Sequence, residues 1–372
     1  MILADLKKGT GKFIDKSDFG PITGASWSPD GNWIAYSLAD TSRTRVIRLY
    51  HVPTGKKHAV TRPEFTDVAP SWDPEGNYLY FMSYRVYNPV YDALHFDLGF
   101  PQAMQLMVVP LRTDVFNPFV PRLTEAPPAP EKSSKKKAKE TLLKIDVAGL
   151  PDRVLAFPKG AGRYGRIVGI KGKILYSQYS VRGTLVSQGP APEAGASTVY
   201  VYDLATMKED TLLTGVDSFS ISRDGSTLLY RNGKRLRVLK AGDKPNDQKV
   251  TGMVKDGGRA TGWIDLNRVS VSVDPPVEWR QMLREAWRLQ RDYFWDEGMS
   301  GVDWEQVYLR YAPLLDRISC RSELSDLMWE MQGELGTSHA YEMGGDYRMA
   351  PRAPQGKLGG DMVWDKKKKG YR

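Results

Sequence analysis

"ASWSPDGNWIAYS" (residues 25–37) returns as "PSWDPEGNYLYFM" (70–82), with Trp27 and Trp72 45 residues apart. Each copy reads as strand, tight turn, strand: a turn glycine able to take positive φ is flanked by alternating aromatic and small residues. "FSISRDGSTLLYR" (219–231) is a weaker copy and "VGIKGKILYSQ" (168–178) a fainter one. A second element recurs in "LYHVPTGKK" (49–57), "VYDLATMKE" (201–209) and "LADLKKGTGK" (3–12), and reads as outer strands joined by a turn. Four strands in about 40–45 residues, repeated, is the pattern of β-propeller blades. A plain β-sandwich with chance similarity is the competing reading, and the common offset of tryptophan and turn weighs against it. Leu3–Leu6 takes the place of a blade's last strand. The expectation is therefore an incomplete propeller, from a chain that is a fragment of a longer protein.

Two stretches interrupt the repeats. Residues 126–140, "APPAPEKSSKKKAKE", are Pro-, Ala- and Lys-rich and are expected to form a mobile loop between blades. "GAGRYG" (160–165) has the spacing of a dinucleotide-binding loop. The residues after it are β-branched and turn-punctuated, so the helix N-terminus that would hold a pyrophosphate is not expected there.

The pattern changes at Pro275 and Pro276. Asp274 can cap and Pro275 can take the first helical position; Trp279, Met282, Leu283, Ala286, Trp287, Gln290 and Phe294 then follow at helical spacing. Asp303, with Gln306 three residues on, opens a second helix whose apolar face is Trp304, Val307, Tyr308 and Tyr311. Ser322 is expected to cap a third, with Leu324, Leu327, Met328, Met331 and Leu335 inward and Gly336 as its stop. The domains expected are a partial propeller (1–274), a small helical domain (275–343), and a linker with the beginning of a further module (344–372).

Composition narrows the function. At 372 residues the chain exceeds the length at which one core stops growing, so more than one domain is expected. The net charge of +9 is concentrated in two lysine-rich runs, 131–144 and 365–372, and no basic stripe interleaved with aromatics marks a nucleic-acid surface. The single cysteine, Cys320, excludes an internal disulfide framework and a thiolate metal cluster. His51, His58 and His95 lack metal-ligand spacing. Asp292, Asp296 and Glu297, at a helix end, read as solvated charges. No cofactor or metal is expected. The short apolar run at the N-terminus and the absence of a long apolar segment suggest a cytoplasmic protein with no membrane partner.

One short segment carries candidate chemistry. In "GELGTSHAYE" (333–342) a helix stop hands over to Ser338 and His339. A histidine fixed just past a helix end can serve as a general base, and a neighbouring serine can orient it; it can equally be structural. Residues 291–342 resemble the first catalytic subdomain of the tricorn proteases, serine peptidases that trim peptides. The repeats, with "SDFGPI" (17–22) before "SWSPDG", resemble that family's second, seven-bladed propeller. "GGDYR" (344–348) and "GKLGGD" (356–361) resemble the entry to its PDZ-like domain. The resemblance implies that His339 is the charge-relay histidine and Ser338 the serine supporting the relay. It also implies that the nucleophilic serine, the oxyanion-hole amides and the relay glutamate lie in a later subdomain, leaving this chain inactive alone. Peptide substrates and a hexameric assembly follow from the same resemblance. The alternative is a non-enzymatic, TolB-like propeller scaffold that binds a peptide or protein.

Overall fold

The computed structural model describes residues 1–92, 97–121, 142–181, 197–245, 257–259, 261–338, 340–345 and 360–371. The insert expected at 126–140, and His95 and His339, lie outside them. The chain forms two compact units, Met1–Val269 and Ser270–Arg372.

The first unit is a series of antiparallel sheets. A hairpin of β1 (Ile2–Asp5) and β2 (Thr10–Phe13) comes first. Blade one is β3 (Thr23–Trp27), β4 (Trp33–Ala39), β5 (Arg45–His51) and β6 (Lys57–Ala59). Blade two is β7 (Thr66–Trp72) and β8 (Tyr78–Tyr84), then, after a small hairpin of β9 (Val90–Asp92) and β10 (Asp97–Gly99), β11 (Met104–Pro110) and β12 (Leu155–Ala156). Blade three is β13 (Arg163–Ile170), β14 (Lys173–Tyr179), β15 (Ser197–Asp203) and β16 (Lys208–Val216). β17 (Ser218–Ile221), β18 (Thr227–Asn232) and β19 (Arg235–Lys240) form a three-stranded fourth sheet. Within each blade the strands pair with their neighbours in sequence, which is the propeller-like, mostly-β architecture expected from the repeats.

Alternation along the strands explains why the blades stack. On β8, Leu79 and Phe81 face the core shared with blade one, while Tyr80 and Met82 face the core shared with blade three. β4 divides in the same way, Trp33 and Ala35 toward blade two, and Ile34, Tyr36 and Leu38 toward the first hairpin. β14 sends Ile174 and Tyr176 one way and Leu175 the other. A central strand with both faces covered must be apolar nearly throughout, and all seven residues of β4 are buried.

The repeated turns share one chemistry. Ser28 donates from Oγ to Asp30 Oδ1 at 2.6 Å and accepts from the Trp33 N–H at 2.9 Å, while Gly31 takes φ 73°. Ser222, Asp224, Gly225 and Thr227 repeat that arrangement in the fourth sheet. In blade two Asp73 stands where the others have serine, and its Oδ2 accepts from the Asn77 N–H at 2.9 Å. The paired tryptophans differ in burial. Trp72 is 7% exposed and donates its indole N–H to the Ser26 carbonyl of blade one at 3.1 Å, whereas Trp27 is 52% exposed. "GAGRYG" runs into β13, a strand, and so carries no helix N-terminus for a phosphate.

The second unit holds α1 (Pro275–Tyr293), α2 (Trp304–Tyr311) and α3 (Arg321–Gly333), followed by a hairpin of β20 (Trp364–Asp365) and β21 (Gly370–Tyr371). Asp274 sits at the α1 N-cap through its carbonyl rather than its side chain, and Asp303 Oδ1 caps α2 by accepting from the Gln306 N–H at 3.1 Å. The core is Trp279, Leu283, Trp287, Trp304, Val307, Tyr311, Leu324, Met328, Met331 and Leu335, with Met282, Ala286, Tyr308 and Leu327 packed against it. Trp287 and Trp304 lock α1 to α2 reciprocally: each indole N–H donates to the other's carbonyl, at 2.8 and 2.9 Å. Among the described residues no helix is long and apolar enough to cross a membrane.

Candidate active site

α3 begins earlier than the serine cap predicts. Cys320, not Ser322, is the N-cap residue, and Ser322 lies inside the first turn. Glu323 performs the capping: its Oε2 accepts from the Ser319 N–H at 2.6 Å and the Cys320 N–H at 3.3 Å. The Ser319 backbone N–H, then its hydroxyl, hold the Glu323 carboxyl below its ordinary range. A carboxylate in the first turn also faces the positive end of the helix dipole.

The helix closes over its core and then reverses. α3 ends at Gly333, before the residue expected to stop it. The N–H of Leu335 donates to Gln332 O at 3.2 Å and that of Gly336 to Gly333 O at 3.0 Å. Leu335 is buried, and Gly336 takes φ 61°, the left-handed conformation that lets the chain turn back. Glu334 fastens this turn to α2, accepting from Arg310 Nη1 at 2.6 Å and from the Tyr311 hydroxyl at 3.0 Å. Burial, with the Glu334 hydrogen bond second, pushes the Tyr311 hydroxyl up.

Thr337 and Ser338 are exposed immediately beyond the reversal. His339 lies outside the described residues, between Ser338 and Ala340 in sequence. The chain after it returns along α3. Tyr341 meets Trp329 edge to face, with ring centroids 5.9 Å apart. Glu342 forms an ion pair with Arg321, whose Nη1 donates to Ser325 Oγ at 2.5 Å. Arg321 and Glu342 did not figure among the candidates from sequence. Their only signals were that Glu342 stands three residues past His339 and that Arg321 and Ser325 share one helix face.

Four of the other titratable candidates, His51, His58, Asp292 and Asp296, have structural partners. His51 lies against the Trp33 ring, centroids 4.2 Å apart, with Nδ1 2.8 Å from Thr54 Oγ1. His58 is 5.9 Å from the same ring, and burial first, then Lys56 and His51, lower its pKa. Asp292 pairs with Arg288 and Arg291, and Asp296 accepts the Ser300 N–H at 2.6 Å in the turn after α1. Among the described residues no cluster of three or more His, Cys, Asp or Glu could hold a metal ion.

Comparison with known proteins places both units. Residues 1–242 match the tricorn protease second beta propeller domain, and residues 275–333 match the tricorn protease C1 domain. Tricorn protease homolog 1 of Streptomyces coelicolor is 34% identical over 374 residues, covering 97% of this chain and 34% of that protein. The tricorn protease homolog of Saccharolobus solfataricus is 35% identical over 369 residues, covering 99% of this chain and 32% of that protein. The crystal structure of the tricorn protease aligns with a TM-score of 0.75 over 93% of this chain and 32% of that one, at 24% identity, a likeness of fold. The chain thus spans about a third of the length of these relatives.

Proposed function

The chain belongs to the tricorn protease family, and from that premise we propose that it forms the propeller and relay-histidine portion of a serine-type peptidase. His339 is the charge-relay base and Ser338 supports it. The nucleophilic serine, the oxyanion hole and the relay glutamate come from outside these 372 residues. Residues 344–372 open a PDZ-like module, and the assembled enzyme is a hexamer acting on peptides.

The chemistry is acyl transfer. His339 takes the proton from the serine Oγ as it attacks the scissile carbonyl, then gives that proton to the departing amine. Water, deprotonated by the same imidazole, releases the acyl group and restores the serine. Such a base must hold its orientation through both proton transfers. The observation that carries the reading is the build of the residues around it: the chain reverses at a positive-φ glycine after the buried Leu335 and is fixed again at Tyr341 and Glu342.

Labelling with a fluorophosphonate, which reacts with activated serines, tests the division of the active site. The 372-residue chain alone is expected to take up no label and to leave fluorogenic peptides intact, whereas the longest product of the gene is expected to take up the label and to cleave the peptides. Labelling of the chain alone would place the nucleophile within it and defeat the proposed division.

A further inference from the structure

We propose that Arg321 is a positioning residue for the peptidase site: its guanidinium buckles the segment carrying His339 back onto α3. The inference rests on the peptidase reading above. α3 presents Arg321, Ser325 and Trp329 at four-residue spacing, one ridge of the helix. The returning chain engages that whole ridge, Tyr341 on Trp329 and Glu342 on Arg321, with Arg321 braced in turn by Ser325.

The pair is nearly out of water, its side chains 9% and 14% exposed. An exposed ion pair holds a segment weakly. Separating this one would strand a charge in a desolvated site, so the contact resists opening far more strongly. At the other end Leu335 is sunk in the helical core and Gly336 makes the reversal. Only residues 337–340 separate the two anchors in sequence, and a connection that short has little freedom. Loosening one end therefore costs the relay base its orientation and leaves substrate contacts elsewhere alone.

The chain has four histidines, so selective 13C labelling at the imidazole Cε1 gives a countable NMR spectrum, in which His339→Ala identifies one signal. In Glu342→Gln and Arg321→Gln the His339 signal is expected to shift from its wild-type position while the other three stay. Arg321→Lys, which keeps the charge but not the planar fork, should fall between. Exchanging the pair, Arg321→Glu with Glu342→Arg, should bring the signal back. Far-UV circular dichroism reports whether α3 stays folded.

An unmoved His339 signal in the two glutamine variants, with α3 intact, overturns the proposal. If those variants unfold the helical unit, the exchange decides: recovery of fold and signal supports the buckle, and failure to recover either overturns it. In the longest gene product Glu342→Gln should lower kcat about 10–100-fold with KM within about twofold, as expected for a misoriented catalytic group. Peptidase activity lost in His339→Ala but retained in Glu342→Gln defeats the buckle alone. Activity retained in His339→Ala defeats the peptidase reading, and the positioning role with it.

Discussion

Asp73 occupies the turn position that Ser28 and Ser222 fill in the sister sheets, and the carboxyl changes how that turn answers to pH. Burial pushes its pKa from 3.8 up to about 6; the Asn77 N–H opposes this, and the charge of Glu75 adds to it. The folded state therefore favours the protonated form. The resulting stabilisation is fully present below the unfolded value of 3.8 and is lost as pH rises through about 6. Asp73→Asn should remove this dependence. The first unit of the variant is expected to be more stable than the wild type at about pH 7.5, by on the order of 1–3 kcal/mol, with the gap closing toward about pH 4.5. Thermal melts of both proteins across that range check it, and a gap that widens on acidification would show that the Asp73 carboxyl is buried ionised.

At the scale of elements, two joints of the helical unit make distinct predictions. The reciprocal Trp287–Trp304 bonds should each contribute about 1 kcal/mol, so Trp304→Phe, which keeps an apolar ring and loses the N–H, should lower the unit's stability in denaturant by about that much. A loss of about 3 kcal/mol or more would mean that packing, not the hydrogen bond, dominates. At Gly336 an added Cβ meets nothing within 4 Å, so Gly336→Ala strains only the backbone, at about 1 kcal/mol. Gly336→Asn should lose less than Gly336→Ala, because asparagine tolerates the left-handed region better; equal losses in a melt would argue against a conformational origin.

The blades were legible because their signal is local. A turn built from residues 28–33 carries its serine, acid and glycine in one short stretch, and β4 announces double-sided burial by being apolar nearly throughout. The helix faces were legible for the same reason. What escaped the sequence depends on partners distant in the chain. Trp27 and Trp72 share one pattern, yet only Trp72 is buried, with the Ser26 carbonyl of another blade beside it. Ser322 has the residue type of an N-cap, but Glu323 supplies the acceptor for the N–H groups of Ser319 and Cys320 before it. The Arg321–Glu342 pair joins residues 21 apart that meet only because the chain reverses at Gly336.

At the scale of the whole molecule, the chain divides into two compact units, Met1–Val269 and Ser270–Arg372. The first builds stacked blades whose cores are shared between neighbours, and the second packs three helices and then carries, in sequence, Ser338 and His339. The family carries both pieces together, and about two thirds of each relative's length lies beyond what this chain matches. The central claim is that His339 is the base of a serine peptidase completed from outside these residues. The most direct test compares peptide hydrolysis by the longest gene product with that of its His339→Ala variant, both checked for folding by circular dichroism. The account predicts a fall in kcat of at least about 1000-fold, the scale on which a lost relay histidine is felt. Equal rates in the two proteins would contradict it and leave His339 as a residue that merely follows a helix.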